Sequence, residues 1–402
     1  MKYFFTVLFS LPLLSSSIAQ NIDDNNITFG YVQLPLQKLS TAISSYEIRV
    51  VHSYKSANED SLKVFQQRKE LVEKNYRSQY DLWLTQKKNI DKQYYAQLAQ
   101  YEKNVNAGIA ATVPAAPIYP ASPLYIPVEA PRMHTDISDT EVGSTIDIKG
   151  FTKALGGAIL TIDILPIRDI RIIETKSGSG ASVRYEYRCQ YILPVDVSFD
   201  TPTDGSRLKK RLFDVVQFET MRTYNSRWEY LSWLADNEQQ FYRDLERSAR
   251  KRAFADINAL LNDEFGYAVI NRSAEIYSVK KYRDYDYTDV VTAYTASTQA
   301  LSNVGKDRNR ATAMDKLDQA ILQWKNILQD SNPSDEKSRV NDKISAVIYC
   351  NLAELLVWRG DFDQAELYVN LALNSGVMKA RNHAERVQAF YADQKKRWQV
   401  HY

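Results

Sequence analysis

Polar and apolar positions change rhythm several times along this chain, and each change predicts a new element. Between Ile27 and Tyr54 the rhythm is two: Tyr46, Ile48 and Val50 alternate with Glu47 and Arg49, after Tyr31, Gln33 and Leu34-Pro35-Leu36. Such alternation marks strands with one buried face. From Ala57 to Ala107 there is neither Gly nor Pro, and apolar side chains recur at Leu62, Phe65, Val72, Tyr76, Tyr80, Trp83, Ile90, Tyr94, Leu98, Tyr101 and Val105. With Lys69 and Lys87 filling two gaps, the steps average about 3.6 residues, the period of a straight helix and not of a supercoiling heptad. A single helix of roughly 75 Å is predicted.

Residues 108–131 then carry six of the chain's twelve prolines, three or four apart. Proline fixes φ and removes a hydrogen-bond donor, so this piece is expected to be polyproline-like and about 74 Å long. The matched lengths predict that it runs back along the Tyr and Trp stripe of the helix as a stalk. The alternative is a flexible Ala/Pro linker beside a helix that pairs with another chain. Strand patterns resume at Ser144–Thr152, Ala158–Leu165, Ile167–Thr175, Ser182–Leu193 and Pro194–Phe199, with turn signals at residues 177–180 and at Asp204-Gly205. Leu212–Thr223 reads as a last strand, Asn225-Ser226 as a helix cap, and Asn237–Asn262 as a helix. From Tyr287 to the end the period is helical.

The last of these helices contain the most specific pattern in the chain. Residues 346–376 place Tyr349, Leu352, Ala353 and Leu356 on one helix, Gly360-Asp361-Phe362 at a turn, and Ala365, Val369 and Ala372 on the next. Small side chains where two helices cross let the backbones approach, and Gly360 ends the first helix where a positive φ is easiest. This stretch resembles the tetratricopeptide repeat, and Ala320, Trp324 and Ile327 in residues 288–330 resemble a second, degenerate copy. The resemblance implies a helical binding domain whose groove positions are Val347, Cys350, Glu354, Val357 and Trp358. Those five would either meet a protein partner or pack on the chain's own final helix or on the sandwich.

Composition narrows the function classes. The first residues join Met1-Lys2 to an apolar run from Tyr3 to Leu14 and a small-x-small site at Ser17-Ile18-Ala19, an export signal over residues 1–19. No run reaches the roughly 20 apolar residues that a membrane span needs. Without Lys2, 50 basic side chains face 49 acidic ones (51 less one, against 49), a balance that argues against nucleic acid as a partner. Cys189 and Cys350 are the only cysteines and fall in different predicted domains, as buried thiols or as a pair in an oxidising compartment.

Candidate chemistry is sparse. Four scattered histidines offer a metal only His134 with Asp136, and Asp284, Asp286 and Asp289 lack the glycine and closing glutamate of a calcium loop. There is no phosphate loop and no nucleophile elbow. Tyr185, Tyr187, Cys189 and Tyr191 share one strand face, suited to core packing or to stacking on a sugar. The expected architecture is α+β and multidomain. A β-sandwich (27–55 with 135–223) carries the inserted stalk (56–134), followed by a helical connector (224–286) and a helical domain of tetratricopeptide type (287–402). The expected function is that of an exported, non-enzymatic bacterial adaptor, periplasmic or extracellular. It would bind a protein partner of the cell envelope through its tetratricopeptide-like domain and its stalk, with no metal and no cofactor. The alternative is an envelope carbohydrate-binding protein or glycoside hydrolase that uses the sandwich.

Overall fold

The computed structural model describes residues 21–281, 283–307 and 310–402; the export signal expected over residues 1–19 lies outside them. The architecture is mixed α and β, with several sheets and a helical C-terminal region, and among the described residues no sheet closes into a barrel. The chain forms two compact units. The first holds residues up to 46, 145–157 and 255–402, and the second 47–144 and 158–254. No described helix is long and apolar enough to cross a membrane.

In the second unit, β2 (Ser45–Val51, of which 47–51 belong here), β4 (Ala158–Ile164), β7 (Val195–Thr201) and β8 (Gly205–Leu212) lie side by side in that order. The pair β4 and β7 shows why. Both strands alternate buried and half-buried positions along their whole length, and antiparallel register sets Leu160 against Phe199, Ile162 against Val197 and Ile164 against Val195. A slip of one residue would turn every one of these side chains to the other face. A second sheet orders β5 (Arg168–Ser177), β6 (Arg184–Ile192) and β9 (Gln217–Tyr224). Its aromatic row is core: Tyr187, Cys189 and Tyr191 are buried, and Tyr187 stacks on Tyr230 of helix α3 (Arg227–Glu264) with ring centroids 3.6 Å apart. Helix α3 opens on a capping box, Ser226 Oγ accepting from Glu229 N and Glu229 Oε2 accepting from Asn225 N.

From this unit rises α1 (Ser53–Asn106), 54 residues without interruption, about 81 Å at 1.5 Å per residue. The segment after it returns along the helix. Trp83 Nε1 donates to the Pro120 carbonyl at 2.8 Å, Tyr119 OH donates to Asp91 at 2.5 Å, and the rings of Tyr76 and Tyr125 meet edge to face at 5.3 Å. Lys87 lies over both Trp83 and Tyr119. Half-buried positions in the return fall at Ala111, Pro114 and Pro117, the three-residue period of a polyproline helix. The Tyr and Trp stripe therefore packs within one chain, against the return.

The first unit corrects the expected partnering of the early strand. The sequence places residues 27–55 with the later strands. Instead, β1 (Asn21–Val32) pairs antiparallel with β10 (Val269–Lys281), Ile27 opposite Ala274 and Tyr31 opposite Ile270, and this two-stranded ribbon covers the C-terminal helices. Short parallel pairing of Ser45-Tyr46 with β3 (Thr152–Lys153) belongs to the same unit. The helices are α4 (Thr288–Leu301), α5 (Ala311–Leu328), α6 (Asp342–Arg359), α7 (Phe362–Leu373) and α8 (Met378–His401), each packed on its neighbour in sequence; α2 (Asp139–Thr145) is a short helix further back in the chain. Helix α6 is buried on all sides over most of its length. It starts at the Asn341 cap, whose side chain accepts from Ile344 N, and ends at Gly360 with φ 87°. A Cβ at Gly360 would come within 2.8 Å of the Trp398 ring.

Two outcomes follow from these contacts. Replacing Trp83 by Ser removes the one side-chain donor that the stripe gives to the return's backbone at Pro120, so limited proteolysis between residues 108 and 128 should accelerate several-fold while far-UV circular dichroism is unchanged. Equal cleavage rates would show that the return is held by something else. Gly360→Ala should lower stability by about 1 kcal/mol or more, from backbone strain and the Trp398 contact together, measured by denaturant unfolding.

Candidate functional site

The groove positions named by the repeat pattern fall on one face of the buried helix α6. Glu354 has no exposed surface. Its carboxylate accepts from Arg272 Nε at 2.7 Å and Nη2 at 2.6 Å, from Trp358 Nε1 at 2.7 Å and from Tyr391 OH at 2.6 Å. Burial pushes this carboxyl up, but Arg272 and the other donors outweigh it and hold the group below the usual range. Trp358 is enclosed by Phe29 and Tyr31 of β1, at ring distances of 5.3 and 4.7 Å, and by Phe390 of α8 at 6.0 Å. Val347 and Val357 are core, and Cys350 donates weakly to the Ala380 carbonyl, with its thiol pushed up to about 12 by burial.

All five positions are thus buried within the chain, with β10 and α8 on Glu354, β1 and α8 on Trp358, and α8 on Cys350. The expected partner contacts of Val347, Cys350, Glu354, Val357 and Trp358 are replaced by intramolecular ones. The cause is the ribbon. A pair of strands brought from residues 21–32 and 269–281 fills the surface that the repeat pattern alone would leave open.

Sequence reasoning missed the side chains that make this cover specific. Asn351 uses both ends of its amide on the backbone of β10, donating to the Tyr277 carbonyl at 2.9 Å and accepting from Tyr277 N at 2.8 Å. Arg310, with φ 59° and buried, slots its guanidinium between the rings of Trp358 and Trp398, 4.7 and 4.8 Å from their centroids. Its Nη1 donates to the carbonyls of Val357 and Trp358 at the end of α6, where the helix dipole favours a cation. Burial brings its pKa down to about 10, still protonated at neutral pH. His383 Nδ1 donates to Glu275 at 2.9 Å, and Tyr277 OH and Arg386 converge on the same carboxylate. The Nε2 of His383 is buried with no hydrogen-bond partner. A polar residue inside an otherwise apolar helix, as with Asn351 and Glu354, was the available signal.

The second unit has its own polar centre where both ends of the stalk meet. Glu246 of α3 is buried; it accepts from Arg250 Nη2 at 2.8 Å and from Thr135 N at 2.7 Å, and lies 3.3 Å from His134 Nδ1. Asn58 of α1 exchanges two hydrogen bonds with the backbone of His134. Tyr54 is fully buried, its ring under the Arg250 guanidinium at 4.4 Å and its hydroxyl donating to Asp136; burial and that carboxylate push it up to about 12. Beside this lock is an open cleft of about 640 Å³, lined by residues 129–136 and by Glu238, Tyr242, Arg243 and Arg247 of α3.

His134 and Asp136, the pair weighed for a metal, are therefore engaged with Glu246 and with Tyr54 and Lys55. Among the described residues no three His, Cys, Asp or Glu side chains gather as metal ligands would. Asp286 accepts from Thr288 N and Oγ1 at the start of α4, and Asp289 pairs with Arg339. Both cysteines are free and buried. Glu246 has its lone pairs committed to three donors, which makes it a structural anion and a poor proton acceptor. Comparison of the chain with protein-family models, curated proteins and solved structures finds no match.

Trp358→Ala should cost about 3 to 5 kcal/mol in urea unfolding, because it empties a fully enclosed site. Glu354→Gln should cost a similar amount by leaving Arg272 buried against a neutral amide. A change below 1 kcal/mol in either variant would contradict the enclosure described. Burial lowers the pKa of His383, and of His401 less deeply placed, so the unfolded chain binds protons near pH 6.5 that the native chain refuses. Stability should accordingly be full above about pH 6.5 and fall as the pH drops toward 5. His383→Gln should make that decline shallower, leaving the share due to His401; an unchanged slope would sink the assignment.

Proposed function

We propose that this chain is a non-enzymatic adaptor of the cell envelope, exported by its first 19 residues, and that its contact element is the stalk. The observation that carries this reading is where apolar surface remains uncovered. On α1 Leu71 and Leu82 are 58 % and 59 % exposed, and on the return Ile118 and Leu124 are 88 % and 82 % exposed. Large apolar side chains left in water along a projecting element mark a surface that meets another macromolecule. The helical unit supports the same reading by contrast, since its groove positions are occupied by the β1 and β10 ribbon.

Helices α6 and α7 are read as one tetratricopeptide-like pair, supported by the αL turn at Gly360 and by burial of Ala353, Ala365 and Ala372 where the helices cross. Its task in this reading is to hold the unit together around the ribbon. The two sheets of the second unit are read as a sandwich-like base for the stalk. Against sugar stacking stands the aromatic row of β6, buried beneath Tyr230.

A photo-crosslinking amino acid at Leu124, incorporated in the native host, should yield covalent adducts with an envelope protein, whereas the same probe at Leu155, 88 % exposed in the other unit, should yield none. Adducts formed at Leu155 and absent from Leu124 would overturn the reading. So would turnover of envelope glycans or peptides by the purified chain that a single carboxylate substitution abolishes.

A further inference from the structure

Helix α1 carries a second face, distinct from the stripe that the return covers. Val64, Leu71, Asn75, Ser78, Leu82 and Asn89 fall within about 60° of one another on a helix of 3.6 residues per turn. All are exposed, and none is charged. Steps of four and three between Leu71, Asn75, Ser78 and Leu82 are those of two helices packing side by side. The contacts of Trp83, Asp91 and Tyr76 with the return all leave from the other stripe, so this face is unpartnered among the described residues.

Between Leu71 and Leu82 the polarity pattern on this face is its own reverse. Reflected through the point between Tyr76 and Arg77, Leu71 exchanges with Leu82, Asn75 with Ser78, and Val64 with Asn89. These exchanges are the facing layers of an antiparallel pair of identical helices. Leucine then meets leucine in two layers, and amide meets hydroxyl at the centre in two more. The flank away from the return adds charge complementarity. In the same register Lys74 of one helix comes beside Asp81 of the other, twice by symmetry. Among the described residues neither makes an ion pair within its own chain. Parallel packing in register would instead bring Lys74 beside Gln79 and Asp81 beside Gln86, leaving both charges unpaired.

Resting on the reading of the stalk as a contact element, we propose that this face of α1 binds a second copy of the chain, antiparallel and centred between Tyr76 and Arg77. The return, with Ile118 and Leu124, stays free on the far side for a different protein. An isologous pair of this kind repeats every contact twice about one two-fold axis and closes at two chains.

The test uses the full mature chain. Sedimentation should show a monomer–dimer equilibrium, and Leu71→Lys or Leu82→Lys should raise its dissociation constant about tenfold or more, one such step corresponding to about 1.4 kcal/mol. Because these side chains are exposed, circular dichroism should stay at wild type. Lys74→Asp should weaken the dimer, and Lys74→Asp with Asp81→Lys should restore it. Orientation is read by oxidation. A mixture of Leu71→Cys and Leu82→Cys chains should form the mixed disulfide, while either variant alone should not crosslink.

Crosslinking of Leu71→Cys with itself would overturn the antiparallel register. A wild-type chain that is monomeric at every concentration would overturn the proposal outright. If the Leu124 probe still captured an envelope protein in that case, the adaptor reading would stand without self-pairing. Loss of both would remove both.

Discussion

A carboxylate with no access to water sets the terms for the helical unit. Glu354 sits in the middle of α6, where an unpaired negative charge would be prohibitive, and three elements supply donors: Arg272 from β10, Trp358 from α6 itself and Tyr391 from α8. These donors have one arrangement that satisfies the anion, and that arrangement fixes the depth and register of the ribbon on the helices. Asn351, one turn earlier, repeats the principle with the backbone of Tyr277. Apolar packing alone would accept a strand shifted along the helix; the hydrogen bonds do not.

The same logic places Arg310. Among the described residues it forms no ion pair, and it is accommodated by two indole faces and by the carbonyls that end α6. Together, Glu354 and Arg310 tie the middle and the end of α6 to residues far away in sequence. Strand β1, more than 230 positions from β10 along the chain, is held beside it by their ladder and by Phe29 and Tyr31 packing on Trp358.

The sequence made the stalk legible because its signals are local. A helix without Gly or Pro, an aromatic stripe at 3.6 residues and prolines at a nearly matching length all lie within 75 residues, and Trp83, Tyr119 and Tyr125 pack as that pattern implies. The turn at Gly360 and the alternating strand β4 were readable for the same reason. What was not readable depended on distance. Residues 27–32 alternate as any half-buried strand does, and nothing in them names residues 269–281 as partners. Once that pairing was missed, the groove positions of α6 looked open. The charged and amide residues within that apolar helix, Glu354 and Asn351, were the clue that something polar had to come down upon them. Their partners Arg272 and Tyr277 sit in a stretch of mixed pattern that carried no strong signal of its own.

The stalk joins two polymers with different rises, and this restricts how it can change length. A residue of α1 advances about 1.5 Å, a residue of the return about 3.1 Å, while both ends are pinned together at Tyr54, Asn58 and His134. An insertion in the helix alone would carry Trp83 or Tyr76 out of reach of its proline-rich counterpart. Viable length variants therefore need about two helical residues for every one in the return. Whole turns are further favoured because the helix must keep its aromatic stripe in phase, so a chain with a longer reach would gain something like eighteen residues before the tip and nine after it.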